Sequence, residues 1–180
     1  MIYVITFIVA VYSWTLAEYV LHRFLGHELK ARTPFKVEHM EHHKQKDYFA
    51  KNWMKALSAI VAGSGMFGVL SLVFPLEFSL TYTCGFLTGY MGYEYFHRYF
   101  HIAAPTTKLG IKLRKHHFYH HFSNPNLNHG VTTTFWDKVF NTYYEPATVD
   151  IHQRFAMDWL KNSPEQYAKD YVIKSKTAYT

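Results

Sequence analysis

Long runs of uncharged residues alternate with short, charged stretches along this chain. The first run covers residues 1–21 and is interrupted only by Glu18, and the second covers residues 56–76 without a charge. A third run, residues 78–97, carries a single acidic residue, Glu94. A helix needs roughly 20 apolar residues to cross a bilayer core. The pattern therefore predicts an all-α integral membrane protein with about three transmembrane helices at these positions.

Two other interpretations of the runs stay open. A cleavable signal peptide also contains an apolar run, but this one has no basic residue at its start, and cleavage near Ala17 would place the new terminus beside His22. Interior helices of a soluble protein resemble the second and third runs, but three such runs are hard to bury in 180 residues. We expect retained membrane helices.

The second and third runs are predicted to form a hairpin. The turn between them, around residues 74–77, is short. Small residues at helical spacing allow membrane helices to approach closely, and two such pairs occur, Ser64 with Gly68 and Gly85 with Gly89. We expect both pairs to support close packing.

Basic residues predict the orientation of the helices. All 19 Lys and Arg residues lie in 23–55 or after the third run. Because basic loops stay on the cytoplasmic side, the histidine-rich regions and the C-terminus are predicted to be cytoplasmic. We expect a single domain over residues 1–180, with a cytoplasmic cap from 22–55 and 98–150 and a polar, mostly helical tail from 151–180.

Charge and cysteine content narrow the function classes. A net charge of +6 is compatible with nucleic-acid binding, but the basic residues flank the apolar runs, so we expect a membrane partner and no nucleic acid. The single cysteine, Cys84, excludes a disulfide framework within the chain and a CxxC metal site. The oligomeric state is not readable from the sequence.

Histidine is the residue type that sets this chain apart. Thirteen occur, and eleven of them fall within residues 22–43 and 97–121. They form four motifs: HxxxxH from His22 to His27, HxxHH with His39, His42 and His43, HxxxH from His97 to His101, and HxxHH with His117, His120 and His121. Imidazole is a ligand for iron, zinc and copper. Four such motifs predict a metal centre.

Helix geometry divides these histidines. Residues i and i+4 share a helical face, so a histidine pair at this spacing can bind one metal ion. Three pairs have this spacing: His39 with His43, His97 with His101, and His117 with His121. The i+3 members, His42 and His120, project away and can reach a second ion nearby. His22 and His27 are at i and i+5 and do not share an α-helical face, and Gly26 suggests that the helix ends there.

Two acidic residues lie inside the apolar runs near these motifs. Glu18 is four residues before His22, and Glu94 is three before His97. Histidine ligands commonly donate their second ring N–H to a carboxylate. Glu18 and Glu94 are therefore candidates to orient the metal-binding histidines, while helix packing or interfacial contact is the alternative for each.

The motifs resemble those of the fatty acid hydroxylase / sterol desaturase superfamily of integral-membrane di-metal oxygenases. The matching segments are HRFLGH (22–27), HMEHH (39–43), HRYFH (97–101), HFYHH (117–121) and NHGVTTTFWDKVFNT (128–142), within roughly residues 20–145. The resemblance implies that one metal is held by His22, His27, His39, His43 and His120. It implies that the other is held by His42, His97, His101, His117 and His121.

The chain also departs from larger members of that superfamily. It has one apolar segment before the first motif where many have two, and it carries no fused cytochrome b5 domain, so electrons are expected from a separate protein. Its HxxxH third motif favours the fatty acid and sterol branch over the small carotenoid hydroxylases. His116, His129 and His152 match no ligand position, and residues 130–142 are expected to cover the metal site.

The predicted function is O₂-dependent hydroxylation or desaturation of a C–H bond in a membrane lipid, such as a fatty acyl chain or sterol. Two iron ions are the expected cofactors, and zinc can replace them during purification. Carotenoid hydroxylation by the same chemistry is an alternative, as is a non-enzymatic membrane protein that binds or transports metal. A di-zinc hydrolase is a third alternative, and it would require a carboxylate base and open access for water.

Overall fold

The computed structural model describes residues 1–175, and helices dominate it. Helix α1 (Ile2–Val20) continues as a π-helix (Leu21–Glu28), followed by α2 (Pro34–Lys44), α3 (Asn52–Ser71), α4 (Leu76–Ile102), α5 (Lys108–Phe122) and α6 (Phe135–Val139). The chain ends with β1 (Val149–His152), α7 (Asp158–Asn162), a 3₁₀ turn (Glu165–Tyr167) and β2 (Tyr171–Lys174). The mostly helical expectation is confirmed, apart from these two short strands.

Local sequence explains where the histidine-bearing helices begin. Thr33 precedes α2 and accepts a hydrogen bond from the Lys36 N–H at 3.1 Å, with Pro34 at the first helical position. Thr107 caps α5 in the same way through the Gly110 N–H at 3.0 Å. Such caps satisfy N–H groups that have no partner within the helix, so the starts of α2 and α5 are fixed.

Two helical stretches within residues 1–175 are long and apolar enough to cross a membrane. They are Ile2–Glu28, which joins α1 to the π-helix, and Asn52–Ser71, which is α3. The third span, expected at 78–97, lies within α4, whose many Tyr, Thr and Gly residues lower its hydropathy below that of the other two. Its membrane location stays a prediction.

Helix α4 packs closely against α1 and forms a hairpin with α3. A Cβ at Gly85 would lie 2.6 Å from the Phe7 carbonyl oxygen, and one at Gly89 would lie 2.6 Å from the Trp14 Cβ. Gly85 and Gly89 therefore support close helix packing as predicted, but against α1 rather than against the hairpin partner α3. The Ser64–Gly68 prediction is wrong at Gly68, because a Cβ there would meet no residue of another element within 4 Å in the described part of the chain. Gly63 instead faces Leu87 of α4.

A buried arginine ties the end of α4 to α5. Arg114 donates to the carbonyls of Ala103 at 3.1 Å and Tyr99 at 3.4 Å, and its guanidinium lies over the Tyr99 and Phe100 rings. The Arg114 side chain thus gives the Ala103 carbonyl a partner at the helix end and adds a second donor to the Tyr99 carbonyl, which already accepts from the Ala103 N–H. This contact fixes the angle between the two helices that carry five candidate ligands.

The segment after residue 146 differs from the expected polar, helical tail. β1 and β2 pair in parallel, with Val149 opposite Tyr171, and α7 packs beneath them. Buried apolar residues from this segment join those of α4 and α5: Phe100, Phe118, Val149, Ile151, Met157, Leu160 and Tyr171. The helical interpretation is wrong because the apolar positions alternate over 149–151, which is a strand pattern. Residues 176–180 of the predicted tail lie outside the described part.

Candidate metal centre

Ten histidines gather where the π-helix, α2, α4 and α5 meet. They form a first group of His22, His27, His39, His43 and His120, and a second group of His42, His97, His101, His117 and His121. Within each group the candidate ligand atoms all lie within 4.8 Å of one another. These are the two sets that the family resemblance implied.

The π-helix brings His22 and His27 together. An α-helix would separate positions i and i+5, but a π-helix closes its hydrogen bonds over that interval and is frequent at functional sites. The two imidazole rings lie 5.3 Å apart. The expectation that the helix ends at Gly26 is wrong, because the backbone continues to Glu28 in this wider form.

Gly26 serves a different purpose, which is the close approach of α2. A Cβ at this position would lie 2.9 Å from Cδ2 of His39. Any larger residue would push that imidazole away from its neighbours. Glycine is thus required here by packing against a candidate ligand rather than by helix termination.

The α-helical pairs fall as their spacing predicted. His39 and His43 face the first group, and His97 with His101 and His117 with His121 face the second. The i+3 members belong to the opposite group from their helix neighbours. His42 lies in the second group, and His120 lies in the first. The groups touch where the rings of His43 and His121 stack 4.1 Å apart, so two bound ions would be close neighbours.

Imidazole nitrogens converge within each group. His27 Nε2 lies 2.8 Å from His39 Nε2 and 3.0 Å from His120 Nε2, and His101 Nε2 lies 3.0 Å from His117 Nε2. Four further Nε2 atoms are buried and have no hydrogen-bond partner among residues 1–175: those of His22, His42, His97 and His121. Buried polar atoms nearly always have partners. A cation in each group would supply one, so the residues fit the expected metals.

Backbone carbonyls fix the tautomer of three of these rings. Nδ1 of His42 lies 2.7 Å from the Tyr48 carbonyl and Nδ1 of His120 lies 2.8 Å from the Leu127 carbonyl, while Nδ1 of His22 contacts the His129 carbonyl. A carbonyl only accepts, so each Nδ1 carries the proton. Nε2 of each ring then presents its lone pair, as a metal ligand requires.

Burial keeps the imidazoles of α2 and α5 uncharged. Desolvation lowers the pKa of His42 to about 4 and that of His43 to about 2. Burial also lowers the pKa of His117, His120 and His121 well below the usual value, and neighbouring histidines add to the shift. Neutral imidazole is the form that binds metal, so these ligands need not lose a proton near neutral pH.

Glu18 contacts a loop rather than a histidine. Its carboxylate accepts from the backbone N–H of Val131 at 2.5 Å and of Thr132 at 3.0 Å, and from the Thr132 hydroxyl at 2.6 Å. The expected direct bond to His22 is replaced by an indirect link, because the same loop presents the His129 carbonyl to that ring.

Asp137 is a functional candidate that the sequence reasoning did not single out. It is fully buried and accepts from the backbone N–H groups of His129 and Gly130, both at 2.8 Å, and from Nε2 of His116 at 2.9 Å. It thereby holds the loop that contacts His22. The available signal was the lone acidic residue within the aromatic segment 130–142.

Glu94 also lacks the expected bond to a histidine. It forms an ion pair with Lys55 of α3, and both side chains line a cavity between α1, α3 and α4. The cavity has a volume of about 300 Å³. Apolar and small side chains form its walls, including Trp14, Ala59, Ala62, Phe86 and Leu87, and His22, His39, His42 and His97 also line it.

The three histidines without a ligand assignment take separate places. His116 pairs with Asp137, as above. His129 lies beside the first group, with its ring 5.2 Å from that of His120, and its Nε2 contacts the Asn126 carbonyl at 3.2 Å. His152 lies in β1, within the C-terminal unit. None of the three belongs to either five-membered group.

The fold and the site define a class: a helical protein with membrane-type helices and two adjacent five-histidine groups. A model of the fatty acid hydroxylase family matches residues 7–142, which is well over half of the chain. The chain belongs to the fatty acid hydroxylase family.

Two curated relatives and one solved structure show the degree of similarity. The chain is 32% identical over 148 residues to ceramide very long chain fatty acid hydroxylase SCS7 of Saccharomyces cerevisiae, covering 78% of this chain and 38% of that protein. It is 33% identical over 136 residues to dihydroceramide fatty acyl 2-hydroxylase FAH2 of Arabidopsis thaliana, covering 73% and 57%. A solved structure of full-length scs7p, with only the hydroxylase domain visible, superposes with a TM-score of 0.65 at 28% identity over 79% of this chain and 56% of that one.

Proposed function

We propose that this chain is a membrane-bound, O₂-dependent di-iron hydroxylase of a fatty acyl chain. The observation that carries the proposal is the pair of five-imidazole groups lining an apolar cavity. The curated relatives are named as hydroxylases of fatty acids and of ceramide acyl chains, and this chain spans about 40–60% of the length of the two relatives described above.

Two iron ions would supply O₂ activation, and the chain would hold each with five imidazoles. Imidazole also suits zinc, so zinc can replace iron during purification. The protein residues set the ligand orientation through the three carbonyls that bind Nδ1 and through Glu18 and Asp137, which hold the loop presenting one of those carbonyls. In a metal-dependent oxidation the protein contributes this orientation of the ligands, while the metal supplies the redox chemistry.

The cavity walls would hold the acyl chain and exclude water. Small residues of α3, such as Ala59 and Ala62, leave space opposite Trp14 and Phe86. An extended alkyl chain fits a narrow apolar cavity, and its reacting carbon would lie near His22 and His97. Lys55 and Glu94, which form an ion pair, line the same cavity as the histidines.

The exposure of α3 supports the proposed membrane location. Its large apolar side chains face outward, including Leu57, Ile60, Val61 and Val69, each more than half exposed. An apolar surface of this extent is unfavourable in water, whereas contact with lipid acyl chains is favourable. Because basic loops stay on the cytoplasmic side, we propose that the histidine groups and the C-terminus are cytoplasmic. The substrate would then enter the cavity from the bilayer.

The reaction needs an external reductant. One oxygen atom of O₂ enters the C–H bond and the other leaves as water, which consumes two electrons and two protons. A separate electron-transfer protein would supply the electrons. Hydroxylation is favoured over desaturation by the names of the relatives, two of which specify ceramide or dihydroceramide acyl chains.

Lipid analysis of cells tests this function. The chain is expressed in cells that lack their own fatty acyl hydroxylase, supplied with ¹⁸O₂, and the lipids are analysed by mass spectrometry. We expect hydroxylated acyl chains carrying one ¹⁸O atom, absent in cells that express His117→Ala. Wild-type protein that changes no lipid, or that alters only cellular metal content, contradicts the assignment and favours metal binding or transport.

A further inference from the structure

Residues 128–142 form a loop whose ends meet beside α1. The Asn128 N–H donates to the Thr142 carbonyl at 2.8 Å, which closes the loop. The Thr142 hydroxyl lies 2.9 Å from the hydroxyl of Tyr19, near the end of α1. The segment between these ends therefore leaves and returns at one level of that helix.

Contacts along α1 show how far the loop extends. In order, Tyr19 lies beside Thr142, Glu18 accepts from Thr132 at 3.0 Å, Thr15 accepts from the indole of Trp136 at 2.8 Å, and the Tyr12 ring lies 6.3 Å from the Phe135 ring. A helix rises 1.5 Å per residue, so Tyr12 lies roughly 15 Å along the axis from His22. The loop tip therefore lies beside the middle of the apolar stretch.

The outer surface of the loop is mainly apolar, and Lys138, the exposed charged residue within residues 131–140, has its Nζ 4.8 Å from the centre of the Tyr143 ring. Phe135, Val139 and Phe140 are 47%, 50% and 45% exposed. On α1, Tyr12 and the residue one turn earlier, Ile8, are 49% and 60% exposed. Because Phe135 contacts Tyr12, the two apolar surfaces are continuous. A surface that continues a candidate membrane span at mid-depth faces the same medium as that span.

We propose that residues 131–140 form a re-entrant segment, inserted into the cytoplasmic leaflet of the bilayer beside α1. Phe135, Val139 and Phe140 then contact lipid acyl chains. The inference rests on the proposed membrane location of α1. It goes beyond the hydroxylase function, because it assigns a lipid contact to a loop expected only to cover the metal site.

The buried carboxylates support this placement. Irregular backbone at membrane depth persists only where protein groups satisfy its N–H donors. Glu18 accepts from the N–H groups of Val131 and Thr132, and Asp137 accepts from those of His129 and Gly130. Four successive backbone donors are thus paired without water. These bonds explain why the first apolar run contains an acidic residue: the Glu18 carboxylate accepts hydrogen bonds from the backbone N–H groups of the loop.

Spin labels on single cysteines test the proposal. In a Cys84→Ser background, Val139→Cys is labelled with a nitroxide, and the full chain is reconstituted in vesicles of phosphatidylcholine and phosphatidylglycerol. Collision rates are measured with O₂, which concentrates in lipid, and with a water-soluble nickel chelate. Ile8→Cys serves as the lipid-facing control, and the exposed Lys161→Cys in α7 serves as the aqueous control.

We expect the nickel collision rate at Val139 to fall to the level measured at Ile8, with a matching rise for O₂. Phe135→Cys, placed deeper, should show the lowest nickel rate of the loop. A nickel rate at Val139 and Phe135 equal to that at Lys161, with Ile8 protected, overturns the re-entrant segment alone. Nickel access at Ile8 as well overturns the membrane location of α1 and the re-entrant segment with it.

Discussion

The two histidine groups hold five imidazoles each, but the chain builds them by different means. The second group comes from α2, α4 and α5, with two α-helical i,i+4 pairs, and four of its five rings are buried. The first group depends on a π-helix, and three of its rings, those of His27, His39 and His43, are only partly buried. Regular α-helices thus supply all five rings of the second group, whereas the first group takes two of its five rings, His22 and His27, from the π-helix.

Support from other residues differs in the same direction. Two rings of the first group, His22 and His120, bind carbonyls of His129 and Leu127, which belong to or adjoin the loop that Asp137 and Glu18 hold. Within the described residues, the bond from a ring of the second group to a carbonyl runs from His42 to Tyr48, which lies outside that loop. The first group should therefore respond to distant substitutions that leave the second unchanged.

Loss of one ligand from either group should have the largest effect. His120→Ala removes a ligand of the first group and His117→Ala removes one of the second. Because O₂ activation at a pair of ions needs both, each variant should lose acyl hydroxylation by more than the roughly 10- to 100-fold typical of outer partners of metal ligands. Product formation by mass spectrometry measures this loss.

His152→Gln is the control for these variants, since His152 lies in β1 outside both groups and glutamine retains a side-chain acceptor for the Arg154 N–H. It should keep near wild-type activity. Equal loss in the control would show that the assay reports general damage rather than ligand removal.

Asp137→Asn should separate the two groups. The amide cannot accept from all the donors that the carboxylate holds, so the 129–130 loop shifts and His22 loses its carbonyl partner. Metal affinity of the first group should fall by roughly 10- to 100-fold, with the second group retained, as measured by metal titration. Asp150→Asn on the exposed face of β1 is the matched control. Equal metal loss from both groups contradicts the proposed route through the loop.

Gly26→Ala should have a smaller effect, confined to the first group. The added Cβ would lie 2.9 Å from His39, so that ring must shift by a few tenths of an ångström. We expect about a tenfold loss of affinity at the first group, at the lower end of effects on ligand orientation. Gly92→Ala, with no neighbour within 4 Å, should change nothing. Unchanged affinity in Gly26→Ala would show that His39 does not bind.

Acid should destabilise the metal-free protein through both groups. His42 and His43 have folded pKa values of about 4 and about 2, below the usual 6.5. As pH falls below 6.5, the unfolded chain takes up protons that the folded chain does not, so folding stability decreases down to the folded pKa, by about 1.4 kcal/mol per pKa unit. His42→Gln and His43→Gln should each flatten the pH dependence of the thermal midpoint, and an unchanged slope contradicts their burial.

The sequence predicted the second group better than the first for a physical reason. Spacing of i and i+4 identifies a shared face only in an α-helix, so it succeeded for His97 with His101 and failed for His22 with His27, where the backbone is π-helical. Pairing of Glu18 with a histidine was inferred from proximity along the helix, but its partners come from residues 131–132. Such long-range contacts, like the pairing of β1 with β2, leave no periodic signal in one chain.

The number of metal ions bound per chain is the decisive measurement for a di-metal centre. Protein purified anaerobically with iron is analysed for metal and protein in the same sample, for wild type, His120→Ala and His117→Ala. We expect two ions per chain in the wild type. His120→Ala should lose metal from the first group, and His117→Ala should lose metal from the second. One ion per chain in the wild type, or none, would contradict a di-metal centre formed by these ten histidines.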